Sequence, residues 1–318
     1  MGARGHTERG AALSTKFEWE WAPGELRCPA CAGVLVARRE SLDCADCGAG
    51  YPVRDGIPDL VYPPVLAKQD KRWQEEYDGL AESYDEITGQ LALWLEADLA
   101  ADRERLPARL DLRPGQTLLE VSIGTGANLP AIARALGGHG RIVALDLSPG
   151  MMRVARRKAA ALAGPGPARQ AAGGGAPAAA KVGTLRLDFV LANGSHLPFA
   201  SSTFDAVLHV GGINEFSEKR RAFAEMVRVA KSGARLVVSD EGVPRWHHDS
   251  PRGRRLIAGN SLYRHEPPFA DVPWRRRAPT GGSSPAVGPA GGRKGGPRRQ
   301  SPRYEPTRLW SDRRRRRT

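Results

Sequence analysis

The chain lacks the features of a membrane or secreted protein. None of its apolar runs approaches the roughly 18 to 20 residues that a membrane-spanning helix needs, and its first residues contain no apolar signal core. After Met1-Gly2, position six is His6, where N-myristoylation requires serine or threonine. We therefore expect a cytoplasmic protein with no transmembrane segment, and a short organelle-targeting signal within residues 1–15 is left open.

Acidic residues are scarce in only one part of the chain. The net charge is +13, but residues 272–318 hold 14 basic and two acidic residues, so the rest of the chain is nearly neutral. Residues 275–318 consist mainly of Arg, Gly, Pro and Ser, which predicts a disordered basic tail. Aromatic residues between its arginines would suit nucleic acid, through phosphate contacts and base stacking. The favoured alternative is a solvated tail, because nothing in this stretch is patterned.

Cysteine is also rare, and its four residues form one pattern. Two C-x-x-C pairs, Cys28/Cys31 and Cys44/Cys47, are separated by twelve residues. This spacing favours one tetrahedral structural Zn²⁺ over a disulfide or a redox pair, and four thiolate ligands leave no open position for chemistry. Asp55-Gly56 then signals a tight turn. Residues 26–62 resemble the small zinc-ribbon protein that activates tRNA and release-factor methyltransferases, a resemblance that implies a docking or activating role.

The stretch 117–146 carries the strongest nucleotide-binding signal. A short apolar strand ends in the turn Ser122-Ile-Gly124-Thr-Gly126, a helix follows in which Asn128 is a candidate N-cap, and a second strand closes at Asp146. The paired oxygens of Asp146 suit the ribose hydroxyls of a nucleoside. The next helix should begin with Ser148 as N-cap and Pro149 in its first turn.

At these residues the chain resembles the class I S-adenosylmethionine (SAM)-dependent methyltransferases, most closely the ubiquinone/menaquinone biosynthesis C-methyltransferase group. Ser122 departs from the glycine usual at its position. The segment Leu197-Pro-Phe and the residues that follow it up to Phe216 strengthen the resemblance. At the position of Asn193 the group has an aspartate that accepts a hydrogen bond from the adenine amino group. The SAM-binding candidates are Glu120, Ser122, Gly124, Gly126, Asp146, Leu147, Met151, Asn193, Gly194, His209 and Tyr84.

An aromatic segment precedes this domain. A helix is expected over residues 69–87, with Trp73, Tyr77 and Tyr84 along one stripe, and a second helix over about 91–109. The segment resembles the tyrosine-rich part of the quinone group that covers ligand and substrate. Simple packing of the stripe on the sheet is the equal alternative.

No catalytic base is assigned from the sequence. The strand ends offer His209, Glu215, Asp240 and Glu241 as weak candidates, and His196, His247 and His248 are weaker still. For His209 a satisfied structural role is favoured over catalysis.

The predicted fold is α/β, a doubly wound, mostly parallel Rossmann-like sheet with a small zinc ribbon. We expect a flexible lead at 1–24, the ribbon at 25–62, the methyltransferase domain at 69–274 with a disordered insertion at 163–183, and the tail at 275–318. The helix 217–231 should be followed by a fifth strand, 234–239, and no apolar pattern predicts the antiparallel hairpin that usually completes the sheet.

The expected activity is SAM-dependent methyl transfer to a small-molecule, quinone-like or other metabolite acceptor. The alternatives are an RNA or ribosome-associated methyltransferase that uses the ribbon and tail, and a non-catalytic SAM-fold partner. The acceptor atom and the oligomeric state are not predicted.

Overall fold

The computed structural model describes residues 21–272 and 303–304, apart from 23, 39, 96–97, 163–178, 183, 241, 244, 260 and 266–267. Residues 1–20 of the expected lead and nearly all of the expected tail therefore lie outside the described part of the chain. The strands are β1 (Leu35–Ala37), β2 (Ser41–Cys44), β3 (Gly50–Arg54), β4 (Ile57–Pro58), β5 (Thr117–Val121), β6 (His139–Asp146), β7 (Ala179–Val182), β8 (Thr184–Leu191), β9 (Phe204–Val210), β10 (Ala230–Ser239) and β11 (Arg303–Tyr304). The α-helices are α1 (Lys68–Leu80), α2 (Tyr84–Leu95), α3 (Leu99–Ala108), α4 (Leu129–Ala135), α5 (Pro149–Leu162), α6 (Lys219–Val229) and α7 (Pro251–Gly259).

The first four strands form a small antiparallel sheet in the order β1-β2-β3-β4. Between β3 and β4, Asp55 and Gly56 have φ values of +50° and +77°, the left-handed backbone that a tight hairpin turn requires. The predicted turn is confirmed.

The larger sheet has the order β11-β10-β9-β5-β6-β8-β7 within the described residues, and all its pairs are parallel except β7 with β8. The central strand β5 is buried on both faces. Leu118 packs with α4 and α5 in one core cluster, and Leu119 packs with α6 in the other. Helices thus cover both faces, and the predicted α/β class with a mostly parallel sheet is confirmed.

Several element boundaries differ from the prediction. The helix expected over 69–87 is interrupted after Leu80 and restarts at Tyr84, and the second helix is α3 at 99–108. The interruption lets Asp85 reach the turn after β5, where its carboxylate accepts a hydrogen bond from the Thr125 hydroxyl at 2.6 Å. The fifth strand, β10, begins at Ala230 because α6 ends at Val229, and the register shift between Ala230 and Arg235 spans Gly233 at φ +81°.

Two strands lie in segments that the sequence predicts to be disordered. Residues 179–182, within the expected insertion, pair antiparallel with β8, so that part of the prediction is corrected. Residues 303–304, within the expected tail, pair in parallel with β10. The period-2 signal is weak in both places because the strands are short and lie at the edges of the sheet. Among the described helices, none combines the length and apolar character required to cross a membrane.

The small sheet packs directly on the large one. The Arg27 amide donates to the Pro198 carbonyl at 3.0 Å, and the Leu60 amide donates to the Leu191 carbonyl, at the end of β8, at 2.8 Å. Leu26 and Leu60 belong to the same core cluster as Leu119 of the central strand. One apolar core therefore spans both sheets.

Trp21, which falls within the expected flexible lead 1–24, is buried in that shared core. Its ring stacks on Phe199 with centroids 6.0 Å apart, and the Arg141 guanidinium lies 4.4 Å from its centre. The packed part of the small domain thus begins at least four residues before the expected boundary.

Candidate functional site

The turn after β5 is held in left-handed backbone conformations. Ser122, Gly124 and Gly126 have φ values of +58°, +56° and +77°. A Cβ on Gly126 would lie 2.9 Å from Leu129 and 3.3 Å from Ala155, so this glycine lets the turn pack against α5. A Cβ on Gly124 would meet no atom within 4 Å, so Gly124 faces open space where a ligand can approach the backbone.

Asp146 joins this turn to the start of the next helix. Its two carboxylate oxygens accept hydrogen bonds from the Gly124 amide at 2.8 Å and the Ser148 amide at 2.9 Å. Burial raises the pKa of Asp146, against the lowering effect of these amide donors. Each oxygen keeps a second lone pair, so the carboxylate can hold both loops and still accept hydrogen bonds from a bound diol.

The predicted start of α5 is confirmed. The Ser148 hydroxyl accepts a hydrogen bond from the Met151 amide at 3.1 Å, and Pro149 is the first helical residue. Met151 is buried in a cluster with Ala81 and Val154, and half-buried Leu147 follows Asp146 in the chain.

Glu120 lies under the turn and is fully buried. Its pKa is raised to about 8, chiefly by burial, with the negative charge of Asp146 adding to the effect. The Asn128 side-chain amide donates to Glu120 Oε1 at 2.8 Å. Asn128 occupies the N-cap position of α4, but its side chain makes no capping bond, which corrects the role expected for it.

The loop after β8 passes close to the site. A Cβ on Gly194 would lie 2.6 Å from the Phe216 ring and 3.0 Å from Val121, so only glycine fits there without displacing them. The side-chain oxygen of Asn193 accepts the Ser195 amide at 2.9 Å, and its Nδ2 is buried with no hydrogen-bond partner in the described part of the chain. The sequence suggested the oxygen as the ligand contact. The structure leaves the amide nitrogen, a donor, in need of a partner.

Helix α1 crosses the carboxyl ends of the parallel strands. Asp78 accepts hydrogen bonds from the Gly150 amide and, at 3.0 Å, from the Ser148 hydroxyl. The Gln74 side chain donates to the Leu147 carbonyl at 2.9 Å. Sequence reasoning did not single out Asp78 or Gln74, since their partners lie about 70 residues away and no local pattern marks such pairs.

The aromatic stripe continues along the same edge. Ring centroids are 5.9 Å apart for Trp73 and Tyr77 and 5.8 Å apart for Tyr77 and Tyr84, and both tyrosines pack against buried Met151. The Tyr77 hydroxyl donates to Glu215 Oε1 at 2.7 Å. The packing considered for the stripe is confirmed against α5, and a covering role over a ligand stays a prediction.

The candidate bases differ in what their atoms can do. His209 is fully buried in β9, its Nδ1 donates to the Val121 carbonyl at 3.0 Å, and burial lowers its pKa, so it stays neutral.

Asp240 accepts the Gly212 and Asn214 amides, each at 3.0 Å, and so organises the loop after β9. Glu215 is buried against Tyr77. Glu241 lies outside the described residues.

The three weaker histidine candidates lie apart from this arrangement. His196 is buried, and its Nε2 is 2.9 Å from Glu218, beside the small domain rather than beside Gly124. The His248 ring bonds the Val243 carbonyl at 2.8 Å, and His247 belongs to the short helix that starts at Arg245. The described contacts do not bring any of them to the turn after β5.

The four cysteines converge as the spacing predicts. All four sulfur atoms lie within 4.8 Å of one another, with 3.7 Å between Cys28 and Cys47 and 3.5 Å between Cys31 and Cys44. A tetrahedral Zn²⁺ with Zn–S bonds of about 2.3 Å needs sulfur atoms about 3.8 Å apart, so the cluster fits this metal. The Tyr51 hydroxyl lies 3.2 Å from the Cys28 sulfur, where it can hydrogen-bond to a thiolate ligand.

The family described as "Methyltransferase domain" matches residues 119–238. The chain is 29% identical over 184 residues to a demethylmenaquinone methyltransferase of Clavibacter sepedonicus, a match covering 56% of this chain and 62% of the relative. It is 32% identical over 133 residues to a ubiquinone/menaquinone biosynthesis C-methyltransferase of Haemophilus ducreyi, covering 42% of this chain and 44% of that protein. The chain thus spans less than two thirds of the length of these relatives. The resemblance to methyltransferases of the quinone group is confirmed over the matched residues.

Solved structures show weaker likenesses. A SAM-dependent methyltransferase from Aquifex aeolicus matches with 23% identity and a TM-score of 0.36, covering 44% of this chain and 64% of its own. Geranyl diphosphate C-methyltransferase from Streptomyces coelicolor A3(2) matches with 18% identity and a TM-score of 0.38, covering 52% of this chain and 57% of its own.

Proposed function

We propose that this protein, whose residues 119–238 match the methyltransferase domain family, transfers the methyl group of SAM to a small-molecule acceptor. The observation that carries the proposal is the arrangement at the carboxyl ends of β5 and β6. Gly124 leaves room for a ligand there, and the Asp146 carboxylate is fixed beside it. Open α/β sheets bind their ligands at this edge.

Each group at the edge has a proposed part in holding SAM. Asp146 accepts the ribose hydroxyls, Leu147 and Met151 flank the adenine, and Asn193 Nδ2 donates to a ring nitrogen of the base. Glu120 supports the turn from below, and Gly194 keeps the loop after β8 close to Val121. Tyr84 closes the site from the side of α2.

SAM supplies an electrophilic methyl group on a sulfonium. The residues of the chain hold the two reactants in line and exclude water, an effect worth roughly 7–11 kcal/mol in well-oriented systems. Tyr77 and Glu215 form the hydrogen-bonded pair on the acceptor side of this edge. Of the candidate bases, Glu215 is the one that we propose to take a proton from the acceptor, with Tyr77 orienting its carboxylate.

The relatives are named as a demethylmenaquinone methyltransferase and a C-methyltransferase of ubiquinone/menaquinone biosynthesis, which favours a small acceptor over the nucleic-acid and non-catalytic alternatives. We further propose that the cysteine cluster holds a structural Zn²⁺, because its four sulfur ligands fill the tetrahedral coordination. We also propose two domains, a ribbon that begins by Trp21 and ends at about residue 62, and a methyltransferase domain at 69–274.

Calorimetric titration of SAM into the full chain tests the cofactor site. We expect saturable binding in the micromolar range, and at least about tenfold weaker binding by Asp146→Ala, which removes the paired acceptor. Asp111→Ala, at an exposed carboxylate paired with Arg235, is the matched control and should bind SAM like the unaltered chain. Absence of binding by folded protein would refute the enzyme proposal.

A further inference from the structure

A cavity of 810 Å³ lies beside α1 and is lined mainly by basic side chains. The described wall also contains one acidic residue, Glu75, and its basic residues are Lys68, Lys71, Arg72, Lys219 and His265. The part of the chain before residue 272 is nearly neutral as a whole, so this concentration of positive charge is local. Such a cavity attracts anions.

Two of these cations have acidic neighbours, and two do not. Lys71 is 3.7 Å from Glu75 and Arg72 is 3.8 Å from Glu76, with both pairs largely exposed. Exposed pairs of this kind hold their partners weakly and exchange them readily. Lys68 has no ion pair within the described chain, and Lys219 donates to the Phe216 carbonyl at 3.3 Å, a contact that leaves its charge uncompensated.

The start of α1 lies in the same wall, and the first-turn carboxylate of Asp70 there is engaged by the Ser217 amide at 2.9 Å and the Ser217 hydroxyl at 2.6 Å. The helix begins at Lys68, and its N-cap residue, Ala67, offers no side-chain acceptor to the first-turn amides. Amides at a helix N-terminus that lack a side-chain cap favour an anion at that end. Lys68 and Gln69, in the first turn, both line the cavity.

Asn214 supplies a side-chain amide at the wall of the cavity. It lines the cavity and is only 6% exposed. Its backbone amide donates to Asp240, but its side-chain amide has no hydrogen bond to any residue that the structure describes. Because Asn214 lines the cavity, a ligand seated there can hydrogen-bond to its side-chain amide.

The cavity shares a wall with the proposed reaction edge. Gln69 lines the cavity and its side chain donates to the Glu215 carbonyl at 2.6 Å, and Asn214 directly precedes Glu215. The ring centroid of Trp73, also in the wall, lies 5.9 Å from that of Tyr77, whose hydroxyl donates to Glu215 Oε1. A molecule seated in the cavity would therefore extend along Trp73 and Tyr77 toward that edge.

We infer that this cavity binds the anionic group, a carboxylate or a phosphate, of the methyl acceptor. This inference rests on the proposed methyltransferase function and adds the chemical class of its second substrate. The cations around Lys68 and Lys219 and the start of α1 bind the charge, Asn214 donates a hydrogen bond to it, and Trp73 contacts the apolar part of the acceptor.

Binding of small aromatic probes to the full chain tests the inference. Phenyl phosphate and benzoate carry the two anions on one ring, and benzamide is their neutral counterpart. By calorimetry, we expect one of the two anions to bind saturably and benzamide to bind at least about tenfold more weakly. Lys68→Ala/Lys219→Ala should weaken binding of the anion by at least about tenfold, since it removes two charged donors.

Arg38→Ala/Arg54→Ala is the matched control, because it removes two exposed positive charges from the small domain. It should leave binding unchanged. Thermal unfolding of each sample checks folding, and the two single lysine variants replace the double variant if that one fails to fold.

The comparison of the three proteins shows whether the anion binds in the cavity. Loss of anion binding in the lysine variant alone supports the inference. The probe that binds identifies the anionic group as phosphate or carboxylate. Equal binding by all three proteins would locate the anion elsewhere, for example on the basic tail, and would overturn the inference, as would failure of both anions to bind. A SAM titration on the same samples separates the two proposals. SAM binding without cavity-dependent anion binding refutes only the inference, and absence of SAM binding refutes the methyltransferase function itself.

Discussion

At the scale of single residues, the buried Glu120 couples stability to pH. Its pKa is about 8, against an ordinary value of 4.5, because burial disfavours the charged form. Between these two values the folded chain binds more protons on this group than the unfolded chain does. The free energy of unfolding should therefore fall as pH rises through this window, by up to about 1.4 kcal/mol per pH unit.

Glu120→Gln keeps the shape of the neutral side chain and the acceptor for Asn128 but cannot ionise. We expect this variant to lose most of the decline in stability between pH 5 and pH 8, and to be more stable than the unaltered chain at pH 8. Urea denaturation of both proteins at several pH values measures the free energy of unfolding. Parallel stability curves for the two proteins would show that Glu120 is ionised in the folded chain.

Ser122 carries backbone strain at the same turn. A non-glycine residue at φ +58° costs roughly 1–2 kcal/mol of backbone strain. Glycine would remove this strain, but it loses more chain entropy on folding, so only part of the energy is gained. Ser122→Gly should therefore raise the free energy of unfolding by up to about 1 kcal/mol, as measured by urea denaturation. Ser201→Gly, at an exposed position without positive φ, is the control and should be neutral or destabilising. A destabilised Ser122→Gly would mean that the serine side chain stabilises the turn by more than the strain costs.

At the scale of elements, α1 is attached to the start of α5 by one carboxylate. Asp78 accepts from the Ser148 hydroxyl and the Gly150 amide, close to the positive end of the α5 dipole. Asp78→Ala should lower the free energy of unfolding by about 1–2 kcal/mol, as for the loss of a helix cap. Asp102→Ala, at a partly exposed carboxylate in the first turn of α3 paired with Arg105, should cost much less. Equal losses in the two variants would mean that α1 is not held through Asp78.

The elements that the sequence predicted well are those with strong local signals. The buried strands β5, β6, β8 and β9 follow from short apolar runs, and the start of α5 follows from Ser148 and Pro149. The break between α1 and α2 could not be predicted, because it depends on Asp85 meeting Thr125, 40 residues away. The orientation of Asn193 depends likewise on the fold of its loop, which directs Oδ1 to the Ser195 amide and leaves Nδ2 without a protein partner.

At the scale of the whole molecule, the cysteine cluster and the large sheet share one core. Cys28 and Cys44 belong to the same apolar cluster as Leu119 of the central strand. Removing Zn²⁺ from the proposed site should therefore lower the melting temperature of the entire described structure in a single transition, because loss of the small domain uncovers part of the core of the large one. Differential scanning calorimetry with and without a chelator measures the shift.

Cys31→Ser/Cys47→Ser provides the control for chelation. Both cysteines are exposed, so the substitution leaves the apolar core in place while it removes two of the four ligands. The chelator should have no further effect on this variant. Two separate transitions in the unaltered chain, with only the smaller one sensitive to chelator, would show that the two sheets unfold independently.

The contact between Leu60 and Leu191 links two surfaces that belong to the same polypeptide. A surface tethered by a short connection meets its target at an effective concentration in the millimolar range, however dilute the protein is. Docking of the small domain is therefore insensitive to expression level and to dilution, unlike docking of a separate subunit. Its occupancy cannot be adjusted by changing the supply of a partner, so any control of it must act on the interface residues themselves or on the metal.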